Sequence, residues 1–167
     1  MKGNGDSAGK PRTRGFPSTL TVERADPRSD ECSALIDELS DGLFEITGDD
    51  GRSSFDDLDD PDLYFAIARI DGEAAGCGAL RRGPPGAGEI KRMYARKPRH
   101  GIGKAVLYHL EGEAARQGMD RLVLSTRRVN RAAVDFYLAQ GFAPCAPYGR
   151  YVGRERSICL ERHISRP

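Results

Sequence analysis

Glu89-Ile90-Lys91-Arg92-Met93-Tyr94-Ala95-Arg96-Lys97-Pro98-Arg99-His100-Gly101-Ile102-Gly103-Lys104-Ala105-Val106-Leu107-Tyr108-His109-Leu110 changes its hydrophobic period partway along. Glu89 to Arg96 has the composition of a strand, and after Pro98 the apolar residues Ile102, Val106 and Leu110 fall on one face of a helix that Gly118 ends. The junction is Pro98-Arg99-His100-Gly101-Ile102-Gly103-Lys104. At such a helix start the first-turn N–H groups lack intrahelical partners and the helix dipole is positive, so the turn suits a phosphate. Gly101 and Gly103 let a pyrophosphate approach the backbone, and Arg99 and Lys104 add charge. The same residues also read as an ordinary glycine-rich start to a helix. Neither familiar nucleotide loop fits. A Walker loop needs Gly where Pro98 stands and Ser or Thr where Ala105 stands, and a dinucleotide fingerprint needs Gly in place of Val106.

Upstream, Leu63 to Ile70 is nearly all apolar, Asp71-Gly72 is a two-residue hairpin turn, and Glu73 to Arg82 returns as an antiparallel partner. The Gly83-Pro84-Pro85-Gly86 turn leads back to Glu89. Before these strands, Thr19 to Glu23 starts a strand, and Asp26-Pro27 or Ser29 caps a helix with Cys32, Leu35, Ile36, Leu39 and Leu43 as its stripe. Residues 48 to 62 form an acidic, turn-rich stretch in which Phe55 and Leu58 can anchor a short helical turn. Downstream, Leu122 to Thr126 is a strand, Asn130 caps a helix carrying Val134, Phe136, Tyr137 and Leu138, and Gly141 stops it. Phe142 to Ala146 and Ser157 to Leu160 complete the sheet. The resulting fold class is α/β, a central mixed β-sheet flanked by helices.

The 167 residues, 38% of them hydrophobic, suffice for one domain with a full core. Residues 1–17, rich in Gly, Pro, Ser, Lys and Arg, read as a flexible N-terminal tail, and 18–167 as the folded domain. Twenty-six Lys plus Arg against 25 Asp plus Glu leave a charge of +1, which draws the chain to neither nucleic acid nor an anionic membrane. Cys32, Cys77, Cys145 and Cys159 form no C-x-x-C pair and suit a reducing compartment. With no apolar leader and no run of about 20 apolar residues, a cytoplasmic location is expected. His100, His109 and His163 lack metal-ligand spacing, so no metal is expected.

Two segments in this order resemble the GNAT superfamily of N-acetyltransferases. One is Glu89 to Ala95 running into Gly101-Ile102-Gly103-Lys104-Ala105-Val106-Leu107. The other is Asn130-Arg131-Ala132-Ala133-Val134-Asp135-Phe136-Tyr137 followed by Gly141-Phe142. The resemblance covers about residues 19 to 163 and is strongest from 63 to 142. It departs from the family at Pro98, where most members carry Arg or Gln, and the turn is about two residues short; Arg99 or Arg96 are the side chains that can stand in.

The resemblance implies acetyl-CoA as cosubstrate and direct transfer to a primary amine of a small molecule. Met93, Tyr94 and Ala95 would line the pantetheine arm, Arg99, His100, Gly101, Ile102, Gly103 and Lys104 the phosphates, with Asn130 alongside. Tyr137 matches the family's general acid, although it also reads as a core aromatic. Glu89 matches the catalytic carboxylate of some members, or is a solvated strand-end carboxylate; Asn130 is equally explained as a cap. Cys77 and Cys145 are expected in the core rather than as nucleophiles. The acidic stretch either attracts a cationic acceptor or is a solvated loop. An acyl-CoA-sensing module without catalysis, or acetylation of a protein N-terminus or lysine, are the alternatives, and Tyr148 to Val152 with the last strand offers an edge for a homodimer.

Overall fold

A computed structural model describes residues 18–51 and 58–165, so the expected tail at 1–17 and Phe55 lie outside the described residues. Along the chain run β1 (Leu20–Arg24), α1 (Asp30–Thr47), β2 (Tyr64–Ile70), β3 (Glu73–Arg82), β4 (Ala87–Ala95), α2 (Ile102–Arg116), β5 (Arg121–Arg127), α3 (Arg131–Ala139), β6 (Ala143–Pro144) and β7 (Ser157–His163). The strands form one sheet in the order β1-β2-β3-β4-β5-β7-β6. Only β4 and β5 pair in parallel; the other neighbours are antiparallel. The mixed sheet flanked by helices is the expected fold.

Local chemistry sets the boundaries. Asp71 and Gly72 take φ of +51° and +87°, the left-handed pair that a two-residue hairpin turn requires. The Ser29 hydroxyl accepts from Cys32 N at 3.4 Å to start α1, and Gly48, at φ +73°, ends it by donating to Phe44 O at 2.8 Å. Cys32, Leu35 and Ile36 of α1 pack on Phe65, Ile67, Cys77 and Ala79 of the sheet. On the opposite face, Val106, Leu107 and Leu110 of α2 meet Leu80, Ile90, Leu122, Leu124 and Leu160. Leu39 and Leu43, expected on the buried stripe, are only half-buried near the open end of α1.

An irregularity in β4 shapes the sheet around it. Cys77 pairs with Tyr94, but Ala79 pairs with Lys91, so Gly78 faces one residue too many at Arg92 and Met93. This is a β-bulge, and Arg92 takes φ +55° within it. Ile90 and, past the bulge, Met93 both pack with the α2 core, while Tyr94 packs with the α1 core. The parallel ladder to β5 covers only Ala87↔Arg121, Gly88↔Leu122 and Glu89↔Val123. Beyond it β4 stays with β3 to Ala95↔Gly76, whereas β5 stays with β7 to Arg127↔Ser157. The sheet therefore opens between β4 and β5 at their C-terminal ends.

Two expectations are corrected at the far edge. The strand expected from Phe142 to Ala146 shortens to Ala143–Pro144, paired with Glu161 and Leu160, and the last bond to β7 runs from Cys145 N to Cys159 O at 2.9 Å. Tyr148 to Val152 is not an edge strand: Gly149–Tyr151 is a 3-10 turn folded inward, and β7 lies between β5 and β6. The edge proposed for a homodimer is thus not formed by these residues.

Candidate active site

The turn after β4 stands at the mouth of the opening. Arg99 and Gly101 take φ of +65° and +76°, and Gly101 caps α2 without any side-chain hydrogen bond. The first intrahelical bond runs from Ala105 N to Gly101 O at 3.0 Å, which leaves the N–H groups of Ile102, Gly103 and Lys104 without intrahelical acceptors. Arg99, His100 and Lys104 are exposed, with His100 Nδ1 2.9 Å from Pro98 O. Ile102 is 1% exposed, so its side chain belongs to the core and only its N–H faces the turn. A Cβ on Gly103 would stand 3.3 Å from the Phe136 ring, which seats α3 against the start of α2. Arg96 is not available as a stand-in for the residue at Pro98. Its guanidinium donates to both oxygens of Glu38, at 2.7 and 3.0 Å, and to Ala74 O at 2.8 Å. Arg99 is the remaining candidate.

Glu89 is not a solvated strand-end carboxylate. It is 1% exposed, its Oε2 accepts from Arg81 Nε at 2.6 Å, and its Oε1 accepts from the hydroxyls of Tyr148 at 3.1 Å and Tyr151 at 3.2 Å. These three donors offset the desolvation of a buried charge. None of them was found from the sequence. Arg81 was legible, because a hairpin centred on Pro85 places residues 81 and 89 opposite each other. Tyr148 and Tyr151 come from a loop about 60 residues away and carry no local signal.

Tyr137 is 7% exposed and stands edge-on to Phe136 and Phe142, with ring centroids 5.1 and 5.5 Å away. Among the described residues its hydroxyl has no hydrogen-bond partner, and burial raises its pKa, so the phenol keeps its proton at neutral pH. Asn130 caps α3, with Oδ1 accepting from Ala133 N at 3.3 Å, which leaves its amide NH₂ free of that duty.

Cys32, Cys77 and Cys159 are buried, but Cys145, expected in the core, is only partly covered because it lies just past the short β6. Burial pushes the Cys77 thiol up to about 12 and the Cys145 thiol up to about 11, which disfavours thiolate at either. His109 Nε2 lies 2.9 Å from the Tyr64 hydroxyl in a packing contact. In the acidic stretch, Asp49 pairs with Arg127 at 3.4 Å and Asp59 with Arg28, while Asp56 and Asp57 lie outside the described residues. Among the described residues no cluster of three His, Cys, Asp or Glu side chains has the arrangement to hold a metal, and no helix is long and apolar enough to cross a membrane.

A sheet opened beside a bulged strand, leading to a helix start whose first N–H groups lack intrahelical acceptors, makes a site for an extended ligand with an anionic end. The chain belongs to the Acetyltransferase (GNAT) family, whose model matches residues 31–142. It is 32% identical over 150 residues to the IAA acetyltransferase of Azospirillum brasilense, an alignment covering 87% of this chain and 98% of the relative. A crystal structure described as an acyl-CoA N-acyltransferase from Klebsiella pneumoniae superposes with a TM-score of 0.75 at 25% identity, covering 87% of this chain and 98% of that one. The PaiA N-acetyltransferase of Thermoplasma acidophilum, solved in complex with coenzyme A, shares the fold at a TM-score of 0.67 and 16% identity, over 87% of this chain and 99% of its own. The protein is an acetyltransferase.

Proposed function

We propose that this acetyltransferase moves the acetyl group of acetyl-CoA directly to a primary amine of a small molecule, with both substrates bound at once. The observation that carries this reading is the end of the β4–β5 ladder at Glu89↔Val123, just before the bulge at Arg92 and Met93. Past that point β4 has an open side, along which main-chain groups of Met93, Tyr94 and Ala95 can take a pantetheine arm as a further strand would be taken. The N–H groups of Ile102, Gly103 and Lys104, the left-handed turn at Arg99 and Gly101, and the cations Arg99 and Lys104 suit the pyrophosphate, with His100 in the same turn; the Asn130 amide is assigned to the cosubstrate by the resemblance. These residues fit the cosubstrate, which supplies an activated acyl thioester when bound.

The remaining chemistry belongs to the chain. An aliphatic amine with pKa about 10.4 is neutral in only roughly one molecule in a few thousand at about pH 7, so a proton acceptor is needed. Glu89 supplies the carboxylate for that proton. Tyr137, kept protonated by burial, gives its proton to the departing thiolate. Direct transfer is supported by the raised thiol pKa of Cys77 and of Cys145, which leaves neither suited to carry the acetyl group.

Thiol release from acetyl-CoA with a panel of small amines tests the reading. Initial rates at varied concentrations of both substrates should give intersecting double-reciprocal lines, whereas parallel lines would mean an acetyl-enzyme and remove the direct route.

A further inference from the structure

Glu89 is poorly placed to touch an acceptor itself. At 1% exposure, with Arg81 on one oxygen and two phenols on the other, it has three of about four acceptor positions occupied. Tyr148 and Tyr151 are each half-buried and therefore stand between the carboxylate and solvent. Their placement is built into the loop. Gly149, at φ +52°, and the bond from Tyr151 N to Tyr148 O at 3.0 Å form a 3-10 turn, in which residues three apart share one side. The rings meet edge-on at 5.3 Å, and both hydroxyls converge on Glu89 Oε1.

We propose that Tyr148 and Tyr151 form a proton relay between the acceptor amine and Glu89. This rests on the transferase reading above. The acceptor ammonium gives one N–H proton to a phenol oxygen as that phenol passes its own proton to Glu89 Oε1. The neutral amine then forms the N–C bond as the C–S bond breaks. A second nitrogen proton replaces the one that Tyr137 delivers to sulfur. One of the two protons ends on the coenzyme A thiol; the other returns from Glu89 through the phenols to solvent.

Burial and the adjacent carboxylate raise the pKa of both phenols, so at rest each holds its proton and donates to Glu89. A phenol so held passes a proton on only as it receives one. The other groups on this face of the sheet are Arg81 from β3, Lys91 two residues along β4, Arg150, whose guanidinium lies 5.3 Å from the Tyr151 ring centroid, Cys159 of β7, and the Arg121–Glu161 pair of β5 and β7; Val123 of β5, opposite Glu89, is uncharged. Arg81 Nε pairs with Glu89 Oε2 at 2.6 Å.

The test measures kcat for thiol release against pH, with the best small amine, for the full chain and its Tyr148→Phe, Tyr151→Phe and double variants, alongside thermal unfolding. The relay predicts that the double variant loses about 100-fold in kcat near about pH 7, with the KM for acetyl-CoA unchanged. The loss should shrink near about pH 10, where roughly a third of the amine is already neutral. A merely structural latch would lower kcat by one factor at every pH, and that flat ratio, or no loss, overturns the relay. If the double variant is unfolded, the single variants decide: at least one must show a loss that high pH restores, and two flat profiles overturn the proposal. A wild-type chain that releases no thiol with any amine overturns the transferase reading and the relay together, whereas an active wild type with flat variants overturns the relay alone.

Discussion

Replacing Gly78 by alanine probes the bulge beside the opening of the sheet. A Cβ there would stand 2.6 Å from Met93 Sδ, 2.6 Å from Val106 Cγ1 and 3.0 Å from Leu110 Cδ1. Carbon atoms in good contact sit about 3.5–4.0 Å apart, so the new methyl overlaps its neighbours by about 1 Å on two sides. The thioether can swing aside. Val106 cannot easily do so, being 0% exposed on a helix where a β-branched side chain has one favoured rotamer. Relief must come from moving α2 or the bulged β4, and overpacking of this kind costs about 1–3 kcal/mol. Taking about 2 kcal/mol, a chain of this size should lose about 4–8 °C in Tm. Because Met93 is also displaced, the KM for acetyl-CoA should rise. Thermal unfolding followed by circular dichroism, with thiol-release kinetics on the folded variant, measures both effects. Gly112→Ala is the control: it lies inside α2 with nothing within 4 Å of an added Cβ, and should stabilise by about 0.5–1 kcal/mol. A Gly78→Ala protein that melts within about 1 °C of wild type and binds acetyl-CoA normally would refute the packing argument.

Tyr137→Phe should lower kcat by about 10²–10⁴ with little change in Tm, since its hydroxyl has no hydrogen-bond partner among the described residues; an unchanged kcat in thiol release removes it as the acid. Gly101→Ala forces a Cβ into a left-handed position at φ +76° and should cost about 1–2 kcal/mol while raising the KM for acetyl-CoA, read by melting and kinetics. Arg99→Ala, at an exposed site, should raise the same KM and make it less sensitive to salt, without affecting Tm. The guanidinium of Arg96 holds the Glu38 carboxyl below the ordinary glutamate value of 4.5. A depressed folded-state pKa contributes stability above the unfolded value and loses it as pH falls through the folded one. The Tm difference between wild type and Glu38→Gln should therefore be present at neutral pH and shrink as the solution is acidified below 4.5; a gap constant with pH would contradict the pairing.

Much of the architecture is local and was legible in the sequence. Asp71-Gly72 admits only a tight turn, Ser29 and Asn130 have side chains that cap helices, and Gly118 and Gly141 stop them, because each of these features depends on a few consecutive dihedrals. Two segments in order, Glu89 to Leu107 and Asn130 to Phe142, carried the family, and the matched span at residues 31–142 agrees with them. The limits of some elements were less legible. β6 is confined to Ala143–Pro144, and the loop from Tyr148 to Val152, whose aromatic and β-branched content suits a strand, became a turn because its phenols reach a buried carboxylate.

The strand, the glycine turn and the helix from Glu89 to Leu110 belong to the sequence, since period, caps and glycine positions are short-range properties. The tertiary structure decided what each side chain there can do. A bulge at Arg92 and Met93 is visible only against the register of β3, and the opening beside β4 only against β5. Glu89 read equally as a catalytic carboxylate or a solvated strand-end one until Arg81, Tyr148 and Tyr151 closed around it, and Arg96 looked available until Glu38 held it. The reason is the same in each case: a charge's environment is set by groups that are near in space and distant in the chain.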